Sequence, residues 1–340
     1  MSGSLPQDAP THSRSALSLM LLRLSIALAL AGAVFLILFF NGSWPAELGA
    51  AQVGLAVAAA FPLMLGSVLV AGCRLAVLAG RFVSFRDGMA VNALAQFIVL
   101  LVPSRLSEAA KPIGLNLRCG LPPASGFAVL VVERLLDTAF LAVLACVSVA
   151  TAMGPYAGPL RSSATVLAIV ATIGLCGLVA LAFRPGLLQR AAALTRWPWL
   201  TRQAQQVAGP LARLADPHAA GWAIGLSALS WLLSYLIFFA VIRIAGLEGL
   251  SAGAILVVFV ASTLGLVISV APGGLGTFEG AIVLALSAFN IPVPTAIATA
   301  LLLRLCLILP TVVAAGWFLS TSRDTVSALI RRLKERRDTR

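Results

Sequence analysis

Two stretches of this chain, about 170 residues apart, carry the same residues in the same order within otherwise apolar sequence. The first has Pro103, Leu106, Glu108, Pro122 and Arg134; the second has Pro272, Leu275, Glu279, Pro292 and Arg304. Pro122 to Arg134 and Pro292 to Arg304 are both intervals of twelve residues. An ionisable residue inside a membrane segment is costly and by default marks function, and repeat-built transporters place their sites where the repeats meet. The duplication therefore predicts a two-fold transport site.

That the chain lives in a bilayer follows from its content: 60% of the 340 residues are hydrophobic and only 11% are charged. Several apolar runs reach the ~20 residues that a spanning helix needs. The chain reads as a single integral membrane domain over 1–340, its first helix at 17–40 retained rather than cleaved, because no small-residue cleavage site follows the apolar run. The five cysteines are scattered and the two histidines lie in polar flanks, so neither a metal site nor a cofactor is expected.

The net charge of +12 is distributed unevenly. Most of the Lys and Arg fall in Arg14, Arg74 to Arg86, Arg184 to Arg213 and Arg323 to Arg340, alternating with connections nearly free of positive charge. That is the positive-inside pattern; it puts the basic stretches and both termini in the cytoplasm, with anionic membrane lipids rather than nucleic acid as partners. Spans follow at about 50–72, 123–150, 162–183, 219–241 and 293–319. Residues 88–122 must begin and end inside and 250–292 must begin and end outside, so each reads as a re-entrant hairpin, broken at Pro103 or at Pro272-Gly273-Gly274. The expected fold is an all-α, polytopic membrane helix bundle with two re-entrant helical hairpins in an inverted-topology repeat. The repeats cover 50–183 and 219–319, separated by a basic interfacial segment at 184–218 and followed by a basic tail at 320–340. At ~1.5 Å per residue, Arg134 and Arg304 lie ~18 Å along their helices, near the centre of a ~30 Å core.

Around the first break, Arg105, Glu108 and Lys111 follow one another at intervals of three and share a helix face too polar for lipid. Glu133 and Asp137 are four apart and face one way, with Arg134 rotated by about 100°. The two acids are expected to meet basic partners such as Arg105 or Lys111, and Arg134 to point toward Glu108 or Glu279; purely structural pairing of the acids is the alternative. In the second break, Gly273, Gly274 and Gly276 free the backbone after Pro272 for close approach, and Glu279 follows. The lysine and Ser/Thr of a nucleotide loop are missing, but a glycine-rich tip still presents N–H groups to an anion.

Taken together, Val102-Pro103-Ser104-Arg105-Leu106-Ser107-Glu108 with Lys111, Val132-Glu133-Arg134-Leu135-Leu136-Asp137, Pro272-Gly273-Gly274-Leu275-Gly276 with Glu279, and Arg304 resemble the lysylphosphatidylglycerol synthase membrane-domain, or flippase-like, family. The resemblance covers about 17–320 and implies a bacterial inner-membrane protein that moves lipid between leaflets. Ser107 stands where the family usually has glycine, and Lys111 where arginine is common. No soluble aminoacyl-transferase segment follows, so the synthase activity in the family's name is not expected here.

The leading functional expectation is a non-enzymatic flippase for an amphiphile with an anionic or zwitterionic headgroup: a phospholipid, polyprenyl phosphate or hopanoid-type lipid. Arg105, Arg134 and Arg304 hold the headgroup in this reading, and Glu108 and Glu279 exchange it or protons between two gates. A glutamate in apolar surroundings binds a proton more readily, which makes proton coupling chemically reasonable. The alternatives are a non-transporting membrane scaffold for a lipid- or glycan-modifying enzyme, and an enzyme acting on polyprenyl lipid. Oligomeric state is not legible. The topology predicts that single cysteines at positions 86 and 120, in a cysteine-free background, react with an impermeant thiol reagent from the same membrane face. Reaction from opposite faces would remove the first re-entrant hairpin.

Overall fold

The computed structural model describes residues 48–101, 108–151, a scatter of positions between 166 and 184, 198–269 and 271–321. Among these, all regular secondary structure is helical. The expected helix at 17–40, the break at Pro103 with Arg105, and the tail beyond 321 lie outside the described residues.

The first group of helices comprises α1 (Ala50–Ala79), α2 (Phe85–Leu101), α3 (Ala110–Cys119) and α4 (Pro123–Thr151). Helix α5 (Pro198–Ala212) follows, and then α6 (Pro217–Ile244), α7 (Ala252–Ile268), α8 (Thr277–Ser287) and α9 (Val293–Thr321). The helices of the first group have 30, 17, 10 and 29 residues. Those of the last four have 28, 17, 11 and 29. Among the described residues, three stretches are long and apolar enough to cross a bilayer: Ala50–Phe82, Pro217–Ile244 and Val293–Phe318. The protein is a multi-pass membrane protein. Helix α4 matches them in length but carries Glu133, Arg134 and Asp137 along its middle.

Local chemistry accounts for the helix ends. Asp216 caps α6 by accepting the His218 N–H at 3.0 Å, with Pro217 in the first turn where its missing N–H costs nothing. The Ser251 hydroxyl accepts the Ala254 N–H at 3.1 Å and starts α7. Gly120 adopts a left-handed conformation (φ 69°) after α3, and its N–H donates back to Asn116. Pro62 and Pro310 lie inside α1 and α9, a placement that membrane helices tolerate because neighbouring groups satisfy the freed carbonyl.

Helix α1 is the spine of the bundle, packing against α2, α6 and α9. Its contact with α2 is backbone to backbone: a β-carbon at Gly72 would run into the main chain of Met89, and one at Gly88 into the Gly72 carbonyl. Small residues that permit such approach are how membrane helices gain packing without a hydrophobic drive. Between α1 and α6 the contact is partly polar, with the Ser67 hydroxyl 3.3 Å from Ser230 and 3.4 Å from Ser234. Two reciprocal contacts link the groups, since α9 packs on α2 and α4 packs on α7. The Pro272–Gly274 turn reaches the end of α2, where a β-carbon on Gly273 would lie 3.6 Å from the Leu100 Cα.

Arg74 departs from the cytoplasmic basic stretch expected at Arg74 to Arg86: α1 continues to Ala79, and Arg74 is 3% exposed inside it. The 184–218 segment contains α5, which packs on α4 and accepts the Ser125 hydroxyl at the Gln206 carbonyl, 2.7 Å.

The close α1–α2 crossing predicts that Gly88→Val costs about 1–3 kcal/mol through overpacking. Gly225→Val on α6, where a β-carbon meets nothing within 4 Å, should cost far less. Thermal unfolding of the two variants in detergent checks this, and equal midpoints would contradict it.

Candidate functional site

Two clusters of charge lie within the bundle, one in each group of helices. The first centres on Glu133, which is 1% exposed. Its Oε1 accepts from Arg74 Nη2 at 2.7 Å and from Lys111 Nζ at 2.5 Å. Arg74 also donates through Nη1 to Asp137 at 2.6 Å and to the Ser227 hydroxyl at 3.0 Å. Four helices are thus joined by one network: α1 by Arg74, α3 by Lys111, α4 by the two acids and α6 by Ser227. The helical register explains this, because Glu133 and Asp137 fall on one face of α4 four residues apart.

Arg134 lies on the rim of the network. It is 3.3 Å from Asp137 and 3.7 Å from Glu133, yet its side chain remains 48% exposed. With Glu108 it lines a cavity of about 500 Å³ whose other walls are Ala109, Phe127, Leu130, Val131 and Leu135. Glu108 is itself exposed. The cavity therefore pairs one cation and one acid with apolar walls. A further polar position is open in the network: Glu133 Oε2 is buried and has no hydrogen-bond partner among the described residues.

The second cluster is closed. Arg304, 8% exposed on α9, donates from Nε to Glu279 at 2.5 Å, from Nη1 to the Gly273 carbonyl at 2.5 Å and from Nη2 to the Gly274 carbonyl at 3.1 Å. Its guanidinium stacks 4.4 Å from the centre of the Phe278 ring. The other Glu279 oxygen accepts the Gly276 N–H at 2.9 Å and so caps α8. The turn can fold this way because Gly273 and Gly274 take positive φ, 60° and 70°. Planar donors in a fixed fork suit Arg304 to holding two adjacent carbonyls and a carboxylate at once.

The expected partners are thus present in part. Glu279 and Arg304 meet, Lys111 meets Glu133, and Pro272, Gly273, Gly274 and Gly276 form the turn that Arg304 holds. Arg134 contacts Glu133 and Asp137 rather than bonding to Glu279, and shares its cavity with Glu108. Arg105 lies outside the described residues.

Sequence reasoning missed Arg74 and Ser227. The signal for Arg74 was the apolar run Leu75 to Ala79 that continues after it, which a cytoplasmic arginine would not need. For Ser227 it was the spacing to Ser230 and Ser234, three and seven residues on, which makes one helical stripe.

The family profile for the lysylphosphatidylglycerol synthase TM region matches residues 14–315. The chain belongs to this family. No curated protein and no solved structure matches it. In this member of the family the matched region includes both charge clusters, the open cavity and the Pro272–Gly274 turn.

Removing Arg74 leaves the buried Glu133 and the partly buried Asp137 short of a cation, so Arg74→Met should cost about 3–5 kcal/mol of stability. Ser227→Ala removes the hydroxyl that accepts from Arg74 and donates to the Ala223 carbonyl, two hydrogen bonds, and should cost about 1–2 kcal/mol. Adding Asp137→Asn to Arg74→Met should recover part of the loss. Unfolding in detergent measures all three, and no recovery in the double variant would contradict the pairing.

Proposed function

We propose that this protein is a lipid flippase of the bacterial inner membrane, moving an amphiphile with an anionic or zwitterionic headgroup between leaflets. The observation that carries the reading is Arg134: a half-exposed guanidinium beside Glu108 in an apolar-walled cavity, ~18 Å along a membrane-length helix. A charge at that depth needs polar partners, because hydrocarbon supplies none; Asp137 and Glu133 lie at 3.3 and 3.7 Å, and the 48% of the side chain left exposed calls for one more. A lipid headgroup supplies one, while its tails remain against Phe127 and Val131, which are 48% and 51% exposed. The family's lipid-linked description supports the same substrate class.

Transport in this reading uses an inverted repeat of two re-entrant hairpins, α2–α3 and α7–α8. The matched helix lengths, the reciprocal α9–α2 and α4–α7 contacts, and the meeting of the Pro272–Gly274 turn with Leu100 support it. Arms of 17, 10 and 11 residues span ~25, ~15 and ~17 Å, short of a ~30 Å core. The two clusters then work as opposed gates. Arg304 holds its hairpin tip closed through Glu279 and two carbonyls, while Arg134 faces an open cavity. Alternation exchanges these roles, with Glu108 and Glu279 taking the arginines, or protons, when the headgroup leaves. Both termini are cytoplasmic, membrane lipids are the partners, and the activity is carriage rather than bond-making.

Reconstituted into vesicles with a fluorescent phospholipid, Glu108→Gln, Arg134→Ala, Glu279→Gln and Arg304→Ala should each abolish translocation. The glutamine variants should retain more thermal stability than the alanine variants. Wild-type translocation by well-folded Glu108→Gln and Glu279→Gln proteins would overturn the two-gate reading, and intact binding of a partner protein in all four inactive variants would favour a scaffold.

A further inference from the structure

A second cavity, of about 370 Å³, lies away from both charge clusters, where α1 ends and α6 begins. It is lined by Ala76, Gly80, Phe85, Arg213, His218 and Trp222, among others. Its depth is set by its neighbours. Ala50–Phe82 finishes there and Pro217–Ile244 starts there, and both are stretches able to cross a bilayer. The boundary between hydrocarbon and headgroups therefore passes close to this cavity.

The side chains at that level suit such a boundary. Phe82, Phe85 and Trp222 are 60%, 59% and 66% exposed, large apolar groups that water would not favour. Aromatic rings collect at membrane interfaces for this reason. Among them lies Arg213, whose guanidinium rests over Gly80; a β-carbon at Gly80 would come within 2.7 Å of Arg213 Cζ. Gly80 has φ 77°, so both its conformation and its missing side chain make room for the arginine. Arg213 forms no ion pair among the described residues. The one acid on the wall, Asp216, is engaged at the start of α6, where its Oδ1 accepts the His218 N–H. Arg213 and the His218 ring remain to meet a ligand.

We propose that this cavity binds the phosphate of one anionic phospholipid, gripped by Arg213 and His218, with the acyl chains descending past Trp222 and Phe85. Arginine suits a phosphate through its planar fork, and a neutral histidine adds one N–H donor. The lipid held here is a resident one that seats the α1–α6 junction in its leaflet. The site is separate from the gates and does not depend on the transport reading.

Native mass spectrometry of the full-length protein, delipidated and titrated with phosphatidylglycerol, tests this. One lipid should bind tightly to the wild type. Arg213→Gln should weaken it by more than tenfold, whereas Arg81→Gln, which removes a cation stacked 5.4 Å from the Phe82 ring, should weaken it by about fivefold or less, the effect of one generic surface charge. Arg213→Lys should retain part of the affinity, and thermal unfolding without lipid separates lost binding from lost fold. Trp222→Ser should weaken the lipid but leave any binding of inorganic phosphate unchanged. Equal effects of Arg213→Gln and Arg81→Gln would overturn the site. Inorganic phosphate competing as tightly as the lipid would overturn the lipid as its ligand.

Discussion

A charge inside a bilayer must find its partner within the protein, and this requirement organises the bundle. Arg74, Lys111, Glu133 and Asp137 pair with one another across three helices of the first group, and Ser227 ties them to α6. Such buried ion networks are weak contributors to net stability, because desolvation offsets most of the attraction. What they do provide is a single arrangement, since any shift of Lys111 or Arg74 strands a carboxylate in low dielectric. The network therefore fixes where α3 sits against α4, and with it the walls of the cavity beside Arg134.

The two clusters differ in a way that the sequence repeat does not suggest. Arg304 uses its Nε and both terminal nitrogens on Glu279 and on the carbonyls of Gly273 and Gly274. Arg134 has only glancing contact with Asp137 and Glu133, whose nearer partners are Arg74 and Lys111. One arginine is consequently a clasp, and the other is paired on one helix with half of its side chain still exposed. In the proposed alternating-gate reading, this difference corresponds to one gate engaged at Glu279 and one open beside Glu108.

Much of this was legible in the sequence, for physical reasons. The lengths of apolar runs report membrane crossing directly, and the Pro-Gly-Gly break announces a turn because few other residues adopt positive φ. The Glu279–Arg304 pair could be anticipated because a midplane arginine and a nearby acid have few alternatives to each other. Arg74 was not legible by the same rule: a positive charge near a helix end reads as cytoplasmic unless the helix is known to continue. Its true role depends on α1 reaching Ala79, and helix ends are poorly specified by apolar sequence alone. The partners of Arg134 escaped for another reason, since two acids on its own helix lie closer than any acid across the bundle. Nothing in the spacing of Gly80, Arg213 and His218 could show that they line one cavity, because chain separation hides contacts made by helix packing.

The most direct measurement is a cryo-electron microscopy structure of the protein in lipid nanodiscs at a resolution that shows headgroups. The account predicts density for a lipid headgroup within hydrogen-bond reach of the Arg134 guanidinium, in the cavity shared with Glu108, with Arg304 still bonded to Glu279. A cavity filled by protein side chains, with Arg134 in a full ion pair and no lipid approaching it, would contradict the account.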